Sequence, residues 1–452
     1  MQHEPIQRRQ FLKSASAAAA TAALAQTAGV SIASAADAKP ALLGGEPARK
    51  GDWPSWPVAD PKEEARWLEV FRKKVWYRFA PGNNCVADFE KQYCEMTGAK
   101  FCMAVNSGTS ALITSLNILD IGPGDEVIVP PYTFSATINA VLLQHALPVF
   151  VDTDIQTSQI DATKIEAAIT ENTRCILPVH LGGSAYDVDA VAKIADAKKI
   201  PVIEDACQSH LAEWRGKKVG TYGATGCFSF QVTKNISAGD GGALLTNDES
   251  LYQNAFSFQS NGRAAPGVTP GGVYARNGAN LRMTEFQGAV LLGQLERVEA
   301  QSKLREENAK KLTARLEKIP GIAPAKMYEG CTRNAYHLYM FRYDAEQFAG
   351  LPRDKFLKAL GAEGVSCSSG YKELNKEAYI RDRVTSRTFL RVYGKDKIDE
   401  YLGRIECPEN RKLTEQAVWF TQNMLLAAPG DMDLIADAIE KIHAHAKDLI
   451  NA

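Results

Sequence analysis

The chain has 452 residues, 45% apolar and 23% charged, with a formal net charge of -1. That length exceeds one ordinary core and calls for two folded units, or one large unit carrying a smaller one. A near-neutral balance with no concentrated basic stretch leaves no long-range field to gather nucleic acid or an anionic membrane, so small or locally recognised ligands are expected.

Gln7-Arg8-Arg9-Gln10-Phe11-Leu12-Lys13 has the form of a twin-arginine export signal, followed by an alanine-rich stretch to Ile32 and small residues at Ala33-Ser34-Ala35. Alanine is too weakly apolar for a spanning anchor. Residues 1–36 are therefore expected to be a signal peptide, and the protein to work in the periplasm or otherwise outside the cytoplasm. Such export moves chains already folded, which suits an enzyme loaded with a cofactor. The nine cysteines are scattered without a C-x-x-C pair, which fits buried packing better than a disulfide framework or a metal site.

Residues 37–60, rich in Gly, Pro and Trp, are expected to run as an extended arm. From Pro61 the pattern turns helical through Trp67-Leu68-Glu69-Val70-Phe71 and again from Val86 to Tyr93. Strands follow at 101–105, 126–129, 147–151, 175–179 and 201–203, with helices at 110–119, 135–144, 162–169 and 188–199 between them. Alternation of this kind implies a mostly parallel sheet covered by helices on both faces. Two further strands, 228–231 and 242–246, bracket Lys234. A long amphipathic helix from 284 to about 319 leads toward a second unit with a strand at 336–343 and helices at 353–360 and 432–450. Within that unit 372–412 reads as a charged insert of low periodicity. The expected division is a large α/β domain over 61–300 and a smaller α+β domain over 301–452.

Four pieces of this chain suit pyridoxal phosphate. Lys234, flanked by small residues and the glycine-rich Ala238-Gly239-Asp240-Gly241-Gly242, can form a Schiff base. Asp205 ends a buried strand, where a carboxylate can hold the pyridine nitrogen protonated. Gly108, Thr109 and Ser110 open a helix after Asn106-Ser107, a place for a phosphate. Phe134 offers an aromatic face to the ring. Taken singly, each has an ordinary alternative: an exposed turn lysine, a salt bridge, a helix cap, a core phenylalanine.

Order and spacing together are more specific. From Ala41 onward the chain resembles the DegT/StrS family of sugar aminotransferases, through the segments beginning Asn106-Ser107-Gly108-Thr109-Ser110, Pro130-Pro131-Tyr132-Thr133-Phe134, Glu204-Asp205-Ala206-Cys207-Gln208, Phe228-Ser229-Phe230-Gln231-Val232-Thr233-Lys234, Gly239-Asp240-Gly241-Gly242 and Gly278-Ala279-Asn280-Leu281-Arg282. The resemblance implies a type I pyridoxal phosphate fold and a homodimer with shared active sites. It implies that Lys234 carries the cofactor and shuttles the proton, that Asp205 pairs the ring nitrogen, and that Gln208 touches the ring hydroxyl. Ser229, Gly108, Thr109 and Ser110 would hold the phosphate, and Asn280 would reach that of the neighbouring subunit. Gln231, His337 and Tyr371 become the candidate substrate contacts. Lysine rather than histidine at 234 favours amino transfer, from glutamate or glutamine to a keto-sugar or keto-cyclitol by a ping-pong route. Dehydration or epimerisation on the same scaffold, or a non-catalytic binding protein, are the alternatives.

Overall fold

The computed structural model describes residues 38–82, 84–265 and 274–452. The export segment expected over 1–36 lies outside them.

Seven largely buried strands build the first sheet: β1 (Phe101–Val105), β2 (Glu126–Val129), β3 (Leu147–Phe150), β4 (Thr173–Ile176), β5 (Ile203–Asp205), β6 (Thr225–Ser229) and β7 (Gly242–Thr246). Burial on both faces is what a sheet sandwiched by helices demands. Parallel ladders join β3-β2-β4 and β5-β6, and parallel bridges at Ile176–Val202 and Val179–Asp205 connect the two groups. Antiparallel ladders then place β7 between β6 and β1, giving the order β3-β2-β4-β5-β6-β7-β1. Only β7 runs against the rest.

Alternation along β1 divides the core. Cys102 and Ala104 face α2 (Cys85–Thr97) and α5 (Val188–Lys198), whereas Met103 and Val105 face α3 (Gly108–Ile118), α4 (Ser135–Leu143) and α6 (Glu249–Gln259). Ahead of these lies α1 (Pro61–Lys73), started by a capping box at Asp60 and Glu63. The expected helix over 162–169 is a short turn at Ala162–Lys164 running into Ile165–Ala168, preceded by an unanticipated hairpin of Thr153–Asp154 with Gln159–Ile160.

A second capping box, at Thr284 and Gln287, starts α7 (Glu285–Leu316). Its first half packs Leu291 and Leu292 against the first sheet's core, and its second half puts Ala309, Leu312 and Leu316 into another. That second core lies on an antiparallel sheet, β8 (Ile322–Pro324), β9 (Leu338–Tyr343) and β10 (Ala417–Thr421), in the order β8-β9-β10. The arm crosses this unit, tied by the buried Glu363 carboxylate, which accepts the N–H groups of Ala41 and Ala48 and pairs with Lys441.

The stretch 372–412 departs most from its reading. It folds into helices Ala378–Val384, Arg387–Tyr393, Lys395–Gly403 and Pro408–Gln416. Ile380, Val384, Phe389, Ile398 and Tyr401 return to the first unit and join the core of β2 and α4. Helices this short show too few turns for an apolar stripe to stand out from their charges.

Candidate active site

A cavity of about 490 Å³ opens at the C-terminal ends of β1, β5 and β6. Parallel sheets place ligands there, because the loops leaving the strands diverge. Gly108, Thr109, Phe134, Asp205, Gln208, Ser229, Gln231, Lys234, His337 and Tyr371 all line it. Ser110 does not: it is buried behind the loop, donating to Asn106 Oδ1 at 2.7 Å and meeting Ser107 Oγ at 2.9 Å. Asn280 also stands off the cavity, exposed, bridging Ser260.

The end of the cavity at the start of α3 is shaped by glycine. Ser107 caps α3, its Oγ accepting the Ser110 N–H at 3.1 Å, while the N–H groups of Gly108 and Thr109 begin the helix with no partner inside it. A Cβ on Gly108 would sit 2.7 Å from Ser229 Cβ and 2.9 Å from Cys207 Sγ, and one on Gly242 would sit 2.3 Å from the Ser107 carbonyl oxygen. The backbone therefore closes on this corner only where side chains are missing. Register does the rest, since Gly242 pairs with both Val105 and Ser229 and brings the Ser107 loop beside Ser229.

Neighbouring acids on β5 take opposite faces. Glu204 turns inward and accepts the N–H groups of Gly220, Tyr222 and Gly223 together with His180 Nε2 at 2.9 Å. Burial opposes its charge, but these donors outweigh it and hold its pKa below the usual range. Asp205 turns to the cavity, where Thr137 Oγ1 donates to Oδ2 at 2.8 Å and the Cys207 N–H to Oδ1 at 3.2 Å. Thr137 and Thr133, whose hydroxyls meet at 2.9 Å, had no sequence signal beyond their place after Pro130-Pro131.

Lys234 approaches from the loop after β6. Burial pushes its ammonium down, against the opposing pull of Cys207 and Asp205. His337 Nε2 lies 3.4 Å from its Nζ, and burial, followed by the Lys234 charge, holds that imidazole well below its usual range. A neutral His337 thus stands within hydrogen-bonding reach of the amine and aims it. An amine kept ready to deprotonate in a cavity it shares with a buried carboxylate suits a nucleophile and proton carrier.

The remaining candidates are held by their own neighbours. Gln208 accepts the Gly182 N–H at 2.8 Å and donates to the Tyr371 hydroxyl at 2.9 Å. Gln231 turns back to accept from the N–H and hydroxyl of Thr233. Phe134 stays 57% exposed at the rim, with its ring 6.4 Å from that of Tyr371.

His210, two residues after Gln208, was not singled out from sequence. It is fully buried behind Ser229, with Nε2 2.8 Å from the Ser229 carbonyl and Nδ1 3.0 Å from the Tyr93 hydroxyl. A carbonyl only accepts, so Nε2 bears the proton and Tyr93 donates to Nδ1. Burial lowers this imidazole from 6.5 to about 4. Between those values the unfolded chain binds more protons, so stability falls as pH drops through that window. His210→Gln is expected to flatten the loss by roughly 2–3 kcal/mol, read as the difference in urea unfolding free energy between pH 7 and pH 4.5. Parallel profiles for parent and variant would show that another group titrates.

Over residues 59–391 the chain matches the DegT/DnrJ/EryC1/StrS aminotransferase family, and over residues 5–25 the twin-arginine translocation pathway signal sequence. L-glutamine:2-deoxy-scyllo-inosose aminotransferase of Streptoalloteichus tenebrarius is 32% identical over 420 residues, covering 90% of this chain and 98% of its own. L-glutamine:scyllo-inosose aminotransferase of Streptomyces griseus is 32% identical over 425 residues, covering 91% and 99%. The solved aminotransferase from Psychrobacter cryohalolentis aligns with a TM-score of 0.77 at 28% identity, over 88% of this chain and 100% of that one.

Proposed function

The chain belongs to the DegT/DnrJ/EryC1/StrS aminotransferase family, and from that premise we propose that it moves the amino group of L-glutamine or glutamate onto the ketone of a keto-cyclitol or related keto-sugar. The observation that carries this reading is the meeting of Lys234 and Asp205 in one cavity beside the start of α3. The acceptor class rests on the names of the relatives above. The twin-arginine match supports work outside the cytoplasm.

The cavity fits pyridoxal phosphate. The side-chain-free corner at Gly108 and the open amides of α3 would receive the phosphate with Thr109 and Ser229, Asp205 would face the ring nitrogen, and Phe134 would offer a face to the ring. When bound, the cofactor supplies an electron sink for the carbon bearing the amine. Asp205 holds a proton at the ring nitrogen, kept in place by Thr137 and the Cys207 N–H. Lys234, aimed by His337, takes the proton from the donor's amine-bearing carbon and later returns one to the carbon that gains nitrogen. Tyr371 receives the Gln208 amide hydrogen, which leaves its own hydroxyl hydrogen for the substrate.

Thr137→Val is expected to lower kcat/KM about tenfold by leaving Asp205 Oδ2 without its buried donor, with normal turnover placing the orientation of Asp205 elsewhere. Homodimerisation is part of the reading. Trp67, Phe71 and Trp76 are exposed and stack in sequence, with centroids 5.8 and 5.9 Å apart, an apolar surface that suits a second copy. Light scattering at twice the chain mass would agree with it.

The deciding experiment loads the purified protein with cofactor and follows its visible absorbance. L-glutamine should shift the band, and a keto-cyclitol or keto-sugar should restore it with nitrogen gained in the product. Failure of every carbonyl compound to restore it would sink the aminotransferase reading.

A further inference from the structure

The Trp53-Pro54-Ser55-Trp56 part of the arm is fastened at three points. Trp53 Nε1 donates to the Gly364 carbonyl at 3.0 Å, Asn423 Nδ2 to the Pro54 carbonyl at 2.8 Å, and Trp56 Nε1 to the Val232 carbonyl, two residues before Lys234, at 2.8 Å. Beneath it a cavity of about 690 Å³ lies against the start of β9 and the end of β10. Thr233 and His337 line both this cavity and the first, so the two spaces adjoin at the loop that carries Lys234.

A buried donor is turned toward this space. Gln422, directly after β10, is 2% exposed, and its Oε1 accepts from both Nε and Nη2 of the buried Arg305. A guanidinium only donates, so the amide can be turned one way, with its NH2 group away from Arg305. Gln422 lines the cavity, and its Nε2 has no hydrogen-bond partner among the described residues. A largely buried amide donor is served only by an acceptor in the cavity.

The rest of the lining selects what can bring that acceptor. Both indole N–H groups are spent on backbone carbonyls, which leaves the carbon edges and faces of Trp53 and Trp56 to the cavity. Asp52 is the one charged side chain among the described lining residues, and burial keeps His337 neutral. The lining therefore holds no cation for a phosphate. Apolar faces interleaved with hydroxyl, amide and carboxylate groups instead match the C–H faces and hydroxyls of a polyol ring.

We propose that the space beneath the arm is an acceptor subsite for a second, uncharged polyol ring, so that the substrate is a ketone-bearing ring at Lys234 linked past Thr233 to a glycosyl or cyclitol ring under Trp56. This deepens the transamination reading above and rests on it. The first cavity, of about 490 Å³, must hold the cofactor together with the reacting ring, so a second ring falls to the space under the arm.

The test titrates the cofactor-loaded protein by calorimetry with galactinol, a galactosyl ring on myo-inositol, and with myo-inositol, methyl α-galactoside and UDP-glucose. Two variants address the subsite alone. A Cβ on Gly361, in the helix Arg353–Ala362 that borders the space, meets nothing within 4 Å, so Gly361→Phe fills the subsite without displacing its wall. Gln422→Glu keeps an oxygen for Arg305 and removes both amide hydrogens. Galactinol is expected to bind at least about tenfold tighter than either single ring, because the two rings are linked. Each variant should weaken galactinol about tenfold while leaving myo-inositol binding and the donor half-reaction with L-glutamine unchanged. If one variant does not fold, the other carries the comparison. Galactinol no tighter than myo-inositol, or unaffected in the folded variants, overturns the proposal, and so does UDP-glucose that binds more tightly than galactinol and is lost in Gly361→Phe. A parent that passes the amine of L-glutamine to no ketone overturns the transamination reading instead, and the galactinol titration still decides the subsite.

Discussion

Lys234→Ala is expected to remove transamination, lowering kcat/KM by at least about 10⁴-fold, because one amine both holds the reacting group and carries its proton. The fold should survive. The Nζ lies 3.4 Å from His337 and its charge is disfavoured by burial, so truncation relieves a burial cost and opens space onto an existing cavity. The check is turnover with L-glutamine and a keto-cyclitol, beside far-UV dichroism and the urea midpoint. Substantial turnover by the folded variant would mean that another group does the chemistry.

Asp205→Asn should cost about 10²- to 10³-fold in kcat with little change in KM. An amide keeps the shape and one acceptor oxygen for Thr137 or the Cys207 N–H, but it brings no charge to hold a proton at a ring nitrogen. Because Asp205 is buried at β5, its charge is little screened by solvent, which makes its loss expensive. A fall in KM alone, at constant kcat, would contradict the assigned role.

Much of the fold was legible for a simple reason. Short apolar runs alternating with helical periods identify a covered parallel sheet, and β1, β2, β3 and β7 fall within a residue or so of their expected positions. The strand near Cys175 lies two to three residues earlier than expected, since its apolar run continues into a loop, and the one near Val202 lies two later, since it extends into the buried acids Glu204 and Asp205. β10 was missed because its partner β9 lies about eighty positions upstream, and the helices from Ala378 to Gln416 because they are buried against residues far earlier in the chain.

The site divides in the same way. By itself the sequence determined the family and its aminotransferase chemistry, through the order of the segments around Gly108, Asp205 and Lys234, since residue type and spacing are local properties. Tertiary structure alone decided how those groups are held. It put Glu204 on the structural face of β5 and Asp205 on the chemical one, supplied Thr137, His210 and Tyr93 as supports, and set Ser110 and Asn280 off the cavity. It also buried Arg305 under Trp56 with two of its nitrogens on Gln422 and Nη1 lacking a hydrogen-bond partner among the described residues. Such facts depend on which distant segments share a buried space, where low dielectric makes each unpaired charge or hydrogen bond count, and no local pattern records that.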